Sequence, residues 1–198
     1  MTLLQIEDVH QRFGALRVLN GISMAVPQGQ ALGVVGPNGA GKTTLLDIVA
    51  GGRRPTGGRV RLAGHDVTTA SPGHRTRLGL GRTGLAAKAD VAAHRLTLLE
   101  RKRLELARAL ATQPSVLLLD EIAGGLSEPE TDALIGTIRG VHAAGTTIVW
   151  VEHIMRALTQ VVERAVCLAD GRLLFDGTPG QMLSDAEVRR AYLGGSVG

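Results

Sequence analysis

The sequence predicts an α/β fold with a mainly parallel, buried sheet and an N-terminal antiparallel β subdomain. Three observations carry that expectation. Strands and helical stretches alternate through the second half of the chain, one apolar strand runs straight into a glycine-rich loop and a helix, and two further apolar runs end in acids or a histidine.

The opening third alternates apolar and polar residues over Leu3 to Val9 and Gly21 to Val26, then turns continuously apolar at Ala31 to Val35. The first two stretches read as half-buried strands and the third as a buried one. Lys42 to Ala50 carries Leu45, Leu46, Ile48 and Val49 with no breaker before Gly51 and Gly52, the pattern of a helix with a glycine stop. Arg59 to Leu62 follows the turn in RPTGG as a short strand. Beyond it the sequence predicts a helix from about Arg101 to Ala111, the strand SVLLLD, a helix from Glu128 to Ala144 and the strand TTIVWV. AVCLAD and RLLFD then form a hairpin around Asp170 and Gly171, a strong turn pair. A short helical tail ends the chain.

With 198 residues, 44% of them hydrophobic, the chain is one domain long and able to bury a sizeable core. Basic residues number 22 against 18 acidic, and 19 of them are arginines spread along the chain. Aromatics make up only 2%, so the +4 charge argues against nucleic-acid binding, which needs a basic stripe and stacking rings. The arginines are read mainly as solvated surface. Cys167, the single cysteine, is expected as a small buried residue in a strand. The start MTLLQIEDVH lacks a basic stretch followed by an apolar core, and no run reaches bilayer length. Any membrane role is therefore expected to come through a partner.

GPNGAGKTT, Gly36 to Thr44, fits G-x-x-x-x-G-K-[ST] between a strand and a helix. Glycines let successive N–H groups turn inward, and the following helix points its positive end at the same anion. The loop residues Gly36, Asn38, Gly39, Ala40, Gly41, Lys42, Thr43 and Thr44 are expected to hold the phosphates of ATP. Lys42 supplies a mobile charge and Thr43 a hydroxyl for Mg²⁺. VLLLDE, Val116 to Glu121, puts Asp120 at the carboxyl end of a strand, where ligands bind in open α/β sheets. Asp120 is assigned to the Mg²⁺ shell and Glu121 to polarising the attacking water. His153, just after TTIVWV, is placed to face the γ-phosphate.

These motifs, in this order, resemble those of an ABC ATPase, and the resemblance covers nearly the whole chain. It implies a P-loop NTPase core and, at Phe13, an aromatic that stacks on adenine with Val18 as apolar companion. HRTRLGLGRT, VEHIM and DGTPGQMLSDAEVRRAYLG are similar to the ATPases of branched-chain amino-acid importers, and importers of urea or other amides share much of the pattern. The resemblance implies a second ABC ATPase subunit, transmembrane permease subunits and an extracytoplasmic solute-binding protein. It places this chain at the cytoplasmic side, peripheral on the inner face of the membrane.

Two departures stand out. The family's signature, typically LSGGQ, reads LTLLE here, Leu96 to Glu100. Thr97, Leu98 and Glu100 then hold the place that contacts the opposite subunit's nucleotide. Thr97 keeps a hydroxyl, Leu98 and Leu99 replace glycines, and Glu100 replaces glutamine. Thr97 with Glu100 also spells a capping box for a helix start. The second departure is a missing glutamine after Thr83, together with most of the family's helical subdomain. Residues 1–83 and 96–198 are expected to form the nucleotide-binding core of a single domain, with 84–95 as the remnant of that subdomain. The protein is either truncated or lacks a segment at the 83/84 join, and the second is the expectation. IAGGLSEPE after Glu121 also lacks the usual proline and aspartate, and Ser127 with Glu130 spells another capping box.

The function expected is ATP binding and hydrolysis that energise an importer. A regulatory module that binds ATP and scarcely hydrolyses it is the second reading. A soluble ABC protein of repair or translation is the third, without the fused halves or coiled insert it would normally show.

Overall fold

The computed structural model describes residues 1–82 and 96–194. The expected subdomain remnant at 84–95 and the 83/84 join lie outside the described residues. Two sheets organise the fold. The first is antiparallel, in the order β2-β1-β4-β5, from β1 (Thr2–Phe13), β2 (Leu16–Pro27), β4 (Gly57–Leu62) and β5 (His65–Asp66). The second runs β10-β9-β3-β8-β7-β6, from β3 (Ala31–Val35), β6 (Leu80–Arg82), β7 (Val116–Asp120), β8 (Thr147–Val151), β9 (Arg164–Ala169) and β10 (Arg172–Gly177). All its neighbours are parallel except the hairpin β9/β10.

The central strands are buried on both faces, which is why they read as continuous apolar runs. Leu32 and Val34 of β3, Leu118 of β7, Val149 and Val151 of β8, and Val166 and Leu168 of β9 share one core with the antiparallel sheet. Helix α1 (Lys42–Ala50) fills the same core with Leu45, Leu46, Ile48 and Val49, so it is packed between the two sheets. The alternate residues, among them Val35, Leu117, Leu119, Ile148, Trp150 and Cys167, face a second core. That core is covered by α3 (Leu98–Leu110), α4 (Glu128–Ala143), α5 (Met155–Leu158), α6 (Pro179–Ser184) and α7 (Ala186–Gly194). Each fully buried Leu, Ile or Val here contributes roughly 1.5–3 kcal/mol by leaving water.

Several elements depart from the sequence expectation. β1 does not stop at Val9. A bulge at Asp8, whose φ is 48°, shifts the register between Ile6 and Val9 and moves the buried positions from Leu4 and Ile6 to Val9 and Gln11. The strand continues to Phe13 in the other phase. Helix α3 begins at Leu98, three residues before the expected Arg101, because Thr97 and Glu100 close a capping box at its start. The short α2 (Pro72–Arg77), with Ser71 as N-cap, was not foreseen.

The arginines are not all solvated surface. Arg75 of α2 is 1% exposed. Its guanidinium donates to the carbonyls of Ile48 (2.6 Å) and Val49 (2.7 Å) at the carboxyl end of α1, and to Ala70 (3.2 Å) and Thr68 (3.3 Å). Burial pulls its pKa down to about 10. A cation at the negative end of the helix dipole holds α1 in place from below.

Candidate nucleotide site

The parallel strands bring the site together at their carboxyl ends. Val34 of β3 and Asp120 of β7 both pair with Val151 of β8, so Gly36, Glu121 and His153 leave three adjacent strands at nearly one level. The Glu121 N–H donates to the Val151 carbonyl at 2.9 Å, fixing the acidic pair against β8.

The phosphate loop is shaped by positions that exclude a side chain. Gly36 has φ 145°, and a Cβ there would collide with the Leu168 carbonyl. Gly41 has φ 97°, and a Cβ would lie 2.6 Å from Leu19 Cδ2 and 2.9 Å from the Val18 carbonyl. Gly41 is also the N-cap of α1, and that helix has no side-chain cap and no acid in its first turn. The first N–H groups of α1 are thus left for an anion. Lys42 is only 7% exposed, and its ammonium donates to the carbonyls of Gly36 (2.7 Å) and Pro37 (3.0 Å). Burial lowers its pKa, against the opposing pull of Glu121, Cys167 and Asp120. Thr43 is exposed beside it and Thr44 half-buried. Asn38 and Gly39 lie in the turn, and Ala40 donates its N–H to the Pro37 carbonyl.

Asp120 ends β7, half-buried, and the exposed Glu121 follows with φ 45°. A non-glycine residue in that left-handed region costs about 1–3 kcal/mol of backbone strain. His153 has 59% of its side chain exposed, and its Nδ1 lies 3.1 Å from Glu152 Oε1. Thr43 and Asp120 present hard oxygen donors near the phosphate loop, the donor chemistry that fits Mg²⁺.

Phe13 sits at the end of β1, 42% exposed, with the Arg53 guanidinium 4.7 Å from its ring centroid. Val18 is half-buried against the core beneath α1, and its carbonyl borders Gly41.

Thr97, Leu98 and Glu100 are held elsewhere. They open α3, which packs on α4 and on the edge strand β6, three strands from β3 or about 14 Å across the sheet. The Thr97 hydroxyl accepts from the Glu100 N–H (3.2 Å), and the Glu100 carboxylate accepts from the Thr97 N–H (2.8 Å). These bonds hold the Glu100 pKa below its ordinary value. At the start of α4, Glu130 likewise accepts from the Ser127 N–H and hydroxyl.

Sequence reasoning missed four residues around this site. Glu152, 0% exposed, accepts N–H bonds from Ala123 (3.1 Å) and His153 (2.9 Å). An acid between an apolar strand and the histidine was its only signal. Arg53, just past the glycine stop of α1, lies over Phe13, and Arg75 holds the far end of α1. Tyr192 of α7 accepts the Gly36 N–H at 2.9 Å, and burial raises its pKa. Cys167 pairs with Val35 on β3, and burial pushes its thiol up to about 11, so it is packing rather than a nucleophile.

A glycine-shaped phosphate cradle at a helix amino end, beside an acid-tipped strand and a histidine-tipped strand, defines a nucleotide-binding protein of the P-loop class. The known proteins narrow this further. The ABC transporter family model matches residues 19–82, and a model described as branched-chain amino acid ATP-binding cassette transporter matches residues 172–197. The chain is 30% identical to the high-affinity branched-chain amino acid transport ATP-binding protein BraF of Pseudomonas aeruginosa, covering 97% of this chain and 98% of that protein. LivG of Escherichia coli, named for the same transport, is 29% identical over 97% of this chain and 98% of its own. The lipopolysaccharide export system ATP-binding protein LptB of Acidithiobacillus ferridurans is 30% identical, covering 97% of both. Among solved structures, a nucleotide-free ATP-binding cassette from an ABC transporter superposes with a TM-score of 0.90 at 20% identity, covering 96% of this chain and 98% of that one. The chain belongs to the ATP-binding protein family of ABC transporters. The match to BraF spans 252 aligned positions against 198 residues here, so at least 54 positions have no counterpart in this chain.

Proposed function

We propose that this chain binds and hydrolyses ATP to energise an ABC importer of branched-chain amino acids, working beside a second ATPase subunit and under membrane-spanning permease subunits. The observation that carries this reading is the convergence of the phosphate loop, Asp120 with Glu121, and His153 on three neighbouring strand ends. The solute is supported by the match over residues 172–197 and by the names of BraF and LivG. Identity alone does not choose it, since LptB stands at the same 30%. Urea or another amide is the alternative cargo. Among the described residues no helix is long and apolar enough to cross a membrane. In this reading the chain meets the membrane through its permease. An extracytoplasmic binding protein would deliver the solute on the far side, with this chain on the cytoplasmic face.

In the proposed reaction the open amino end of α1 takes the β- and γ-phosphates, and Lys42 exchanges its loop carbonyls for phosphate oxygens. Thr43 and Asp120 would hold Mg²⁺, which neutralises charge between the phosphates when bound. Glu121, on its strained backbone, orients the attacking water and receives its proton. His153 meets the γ-phosphate, while Phe13 and Val18 border the base. The domain is read as 1–83 and 96–198, with 84–95 as the remnant of a helical subdomain and a segment missing at the 83/84 join; the end of the ABC transporter match at residue 82 and the 54 or more unmatched positions support a missing segment.

A second reading, nucleotide binding with little hydrolysis, is favoured by the closed capping box at Thr97 and Glu100, where the family presents an open helix end to the opposite subunit's nucleotide. One experiment separates the two. Lys42→Ala weakens ATP binding roughly 10- to 100-fold, the worth of a charge-assisted bond. Glu121→Gln keeps binding and lowers turnover on the order of 100-fold or more. Turnover at background in the wild-type chain paired with its partner subunit selects the binding-only reading, and unchanged affinity in Lys42→Ala rejects both.

A further inference from the structure

Gly36, the first residue of the phosphate loop, is held from two sides. Its carbonyl accepts from the Lys42 ammonium at 2.7 Å, and its N–H donates to the Tyr192 hydroxyl at 2.9 Å. The second bond spans 156 positions of the chain and joins the loop to the C-terminal helix α7. It forms where β3 leaves the sheet. Val35, the last residue of that strand, still pairs with Cys167 of β9, and at Gly36 the backbone closes so tightly on the Leu168 carbonyl that no Cβ fits. An amide turned out of its ladder at such a point needs an acceptor from elsewhere.

The tail is built to supply one. Asp185 caps α7, its carboxylate accepting from the N–H groups of Glu187 (2.8 Å) and Val188 (2.9 Å). Val188 is 5% exposed and joins Met182 of α6 in the second core. Tyr192 follows Val188 by four residues, so both lie on one helix face, and burying the first aims the second at the loop. Burial raises the pKa of the phenol and keeps it neutral, so its oxygen retains a lone pair for the amide. Residues 172–197, the stretch matched by the branched-chain family model, include β10, α6 and α7 whole. The segment that supports the solute assignment is thus the one that ends on the phosphate loop.

We propose that Tyr192 is a positioning residue of the nucleotide site, and that through its hydroxyl the C-terminal tail holds the phosphate loop in the shape that receives the phosphates. The proposal rests on the ATP-site reading above. In that reading Lys42 gives up the Gly36 and Pro37 carbonyls to reach phosphate oxygens. The tyrosine bond does not depend on Lys42, so it still fixes Gly36 when the lysine has left. Without the hydroxyl the amide turns to water and the empty loop relaxes, and restoring its shape on binding costs affinity. The loop cradles phosphates that ATP and ADP share, so both nucleotides lose alike.

Two measurements on the full chain test this. Amide hydrogen exchange followed by NMR, without nucleotide, reads the bond itself: in Tyr192→Phe the Gly36 amide exchanges roughly tenfold faster, while the other amides of β3 keep wild-type rates. Calorimetric titration with Mg·ADP and with a non-hydrolysable Mg·ATP analogue reads its effect. Tyr192→Phe weakens both about fivefold, the worth of one hydrogen bond, although the ring still packs. Tyr192→Leu weakens both by the same factor and lowers the melting temperature as well, since it removes the ring too. Unchanged exchange at Gly36 in Tyr192→Phe, unchanged affinity in that variant, or a loss seen only in Tyr192→Leu overturns the proposal, the last because it leaves the side chain a packing role alone. Should Tyr192→Leu fail to fold, Tyr192→Phe decides by itself. Failure of the wild-type chain to bind either nucleotide overturns the ATP-site reading instead, while the exchange result still reports on the bond.

Discussion

Two helices of this molecule begin in opposite ways. Helix α1 starts at a left-handed glycine, with no side-chain cap and no acid in its first turn, so its amide donors and its positive dipole end are left for a ligand. Helix α3 starts at Thr97 with both halves of a capping box closed and the Glu100 carboxylate lying on the Thr97 amide. The first end is built to receive an anion. The second has supplied its own. Under the function proposed above, the contrast separates what the chain would do with its own nucleotide from what it would offer to a partner's.

The comparison breaks most visibly at the open end. Gly41→Ala should weaken ATP binding about 100-fold, because the new Cβ meets Leu19 and the Val18 carbonyl and pushes the loop out of register with the phosphates. Equilibrium titration with a fluorescent ATP analogue checks it, and an affinity near wild type would show that the loop yields. At the other end of α1, Arg75→Met should take the guanidinium donor from the Val49 carbonyl and leave the Ile48 carbonyl with the Gly51 N–H alone. The expected loss is about 3 kcal/mol of stability, read from urea unfolding, with the remaining folded protein still binding nucleotide.

The smallest effect belongs to the closed end. Thr97→Ala should lower the melting temperature by a few degrees and leave the affinity of the isolated chain for ATP unchanged. The linkage has a definite sign. Glu100 has its folded-state pKa below the ordinary 4.5, so the folded chain binds that proton more weakly than the unfolded chain. The cap therefore stabilises above pH 4.5 and is lost as pH falls below it. Thermal melts across that range should show a smaller acid-induced drop in Glu100→Gln, which has no carboxylate to titrate, than in wild type. A drop of equal size would mean that the carboxylate caps nothing in solution.

Much of the frame was legible beforehand because local chemistry dictates it. Lys42 to Ala50 is a helix, and Asp170-Gly171 a hairpin turn, for reasons contained in a few neighbouring residues. The same holds for the buried strands, whose apolar runs announce two covered faces. β1 was cut short in the reading because the Asp8 bulge changes the phase of alternation, and a change of phase looks like the end of a strand. Helix α2 went unread because six residues are too few to show a helical period.

The sequence by itself determined the phosphate loop, the acid-tipped strand and the capping box at Thr97, since each is set by spacing along a continuous segment. Only the tertiary structure decided which charges are buried. Glu152 and Arg75 were ordinary polar letters until the fold placed Ala123 and His153 around one and the end of α1 around the other. Tyr192 met Gly36, and Arg53 met Phe13, in the same way. Burial depends on contacts between residues distant in the chain, so it has no local signature. That is why the groups proposed to bind phosphate are legible in the sequence, while the buried groups that surround them emerge only when the two sheets and their helices close together.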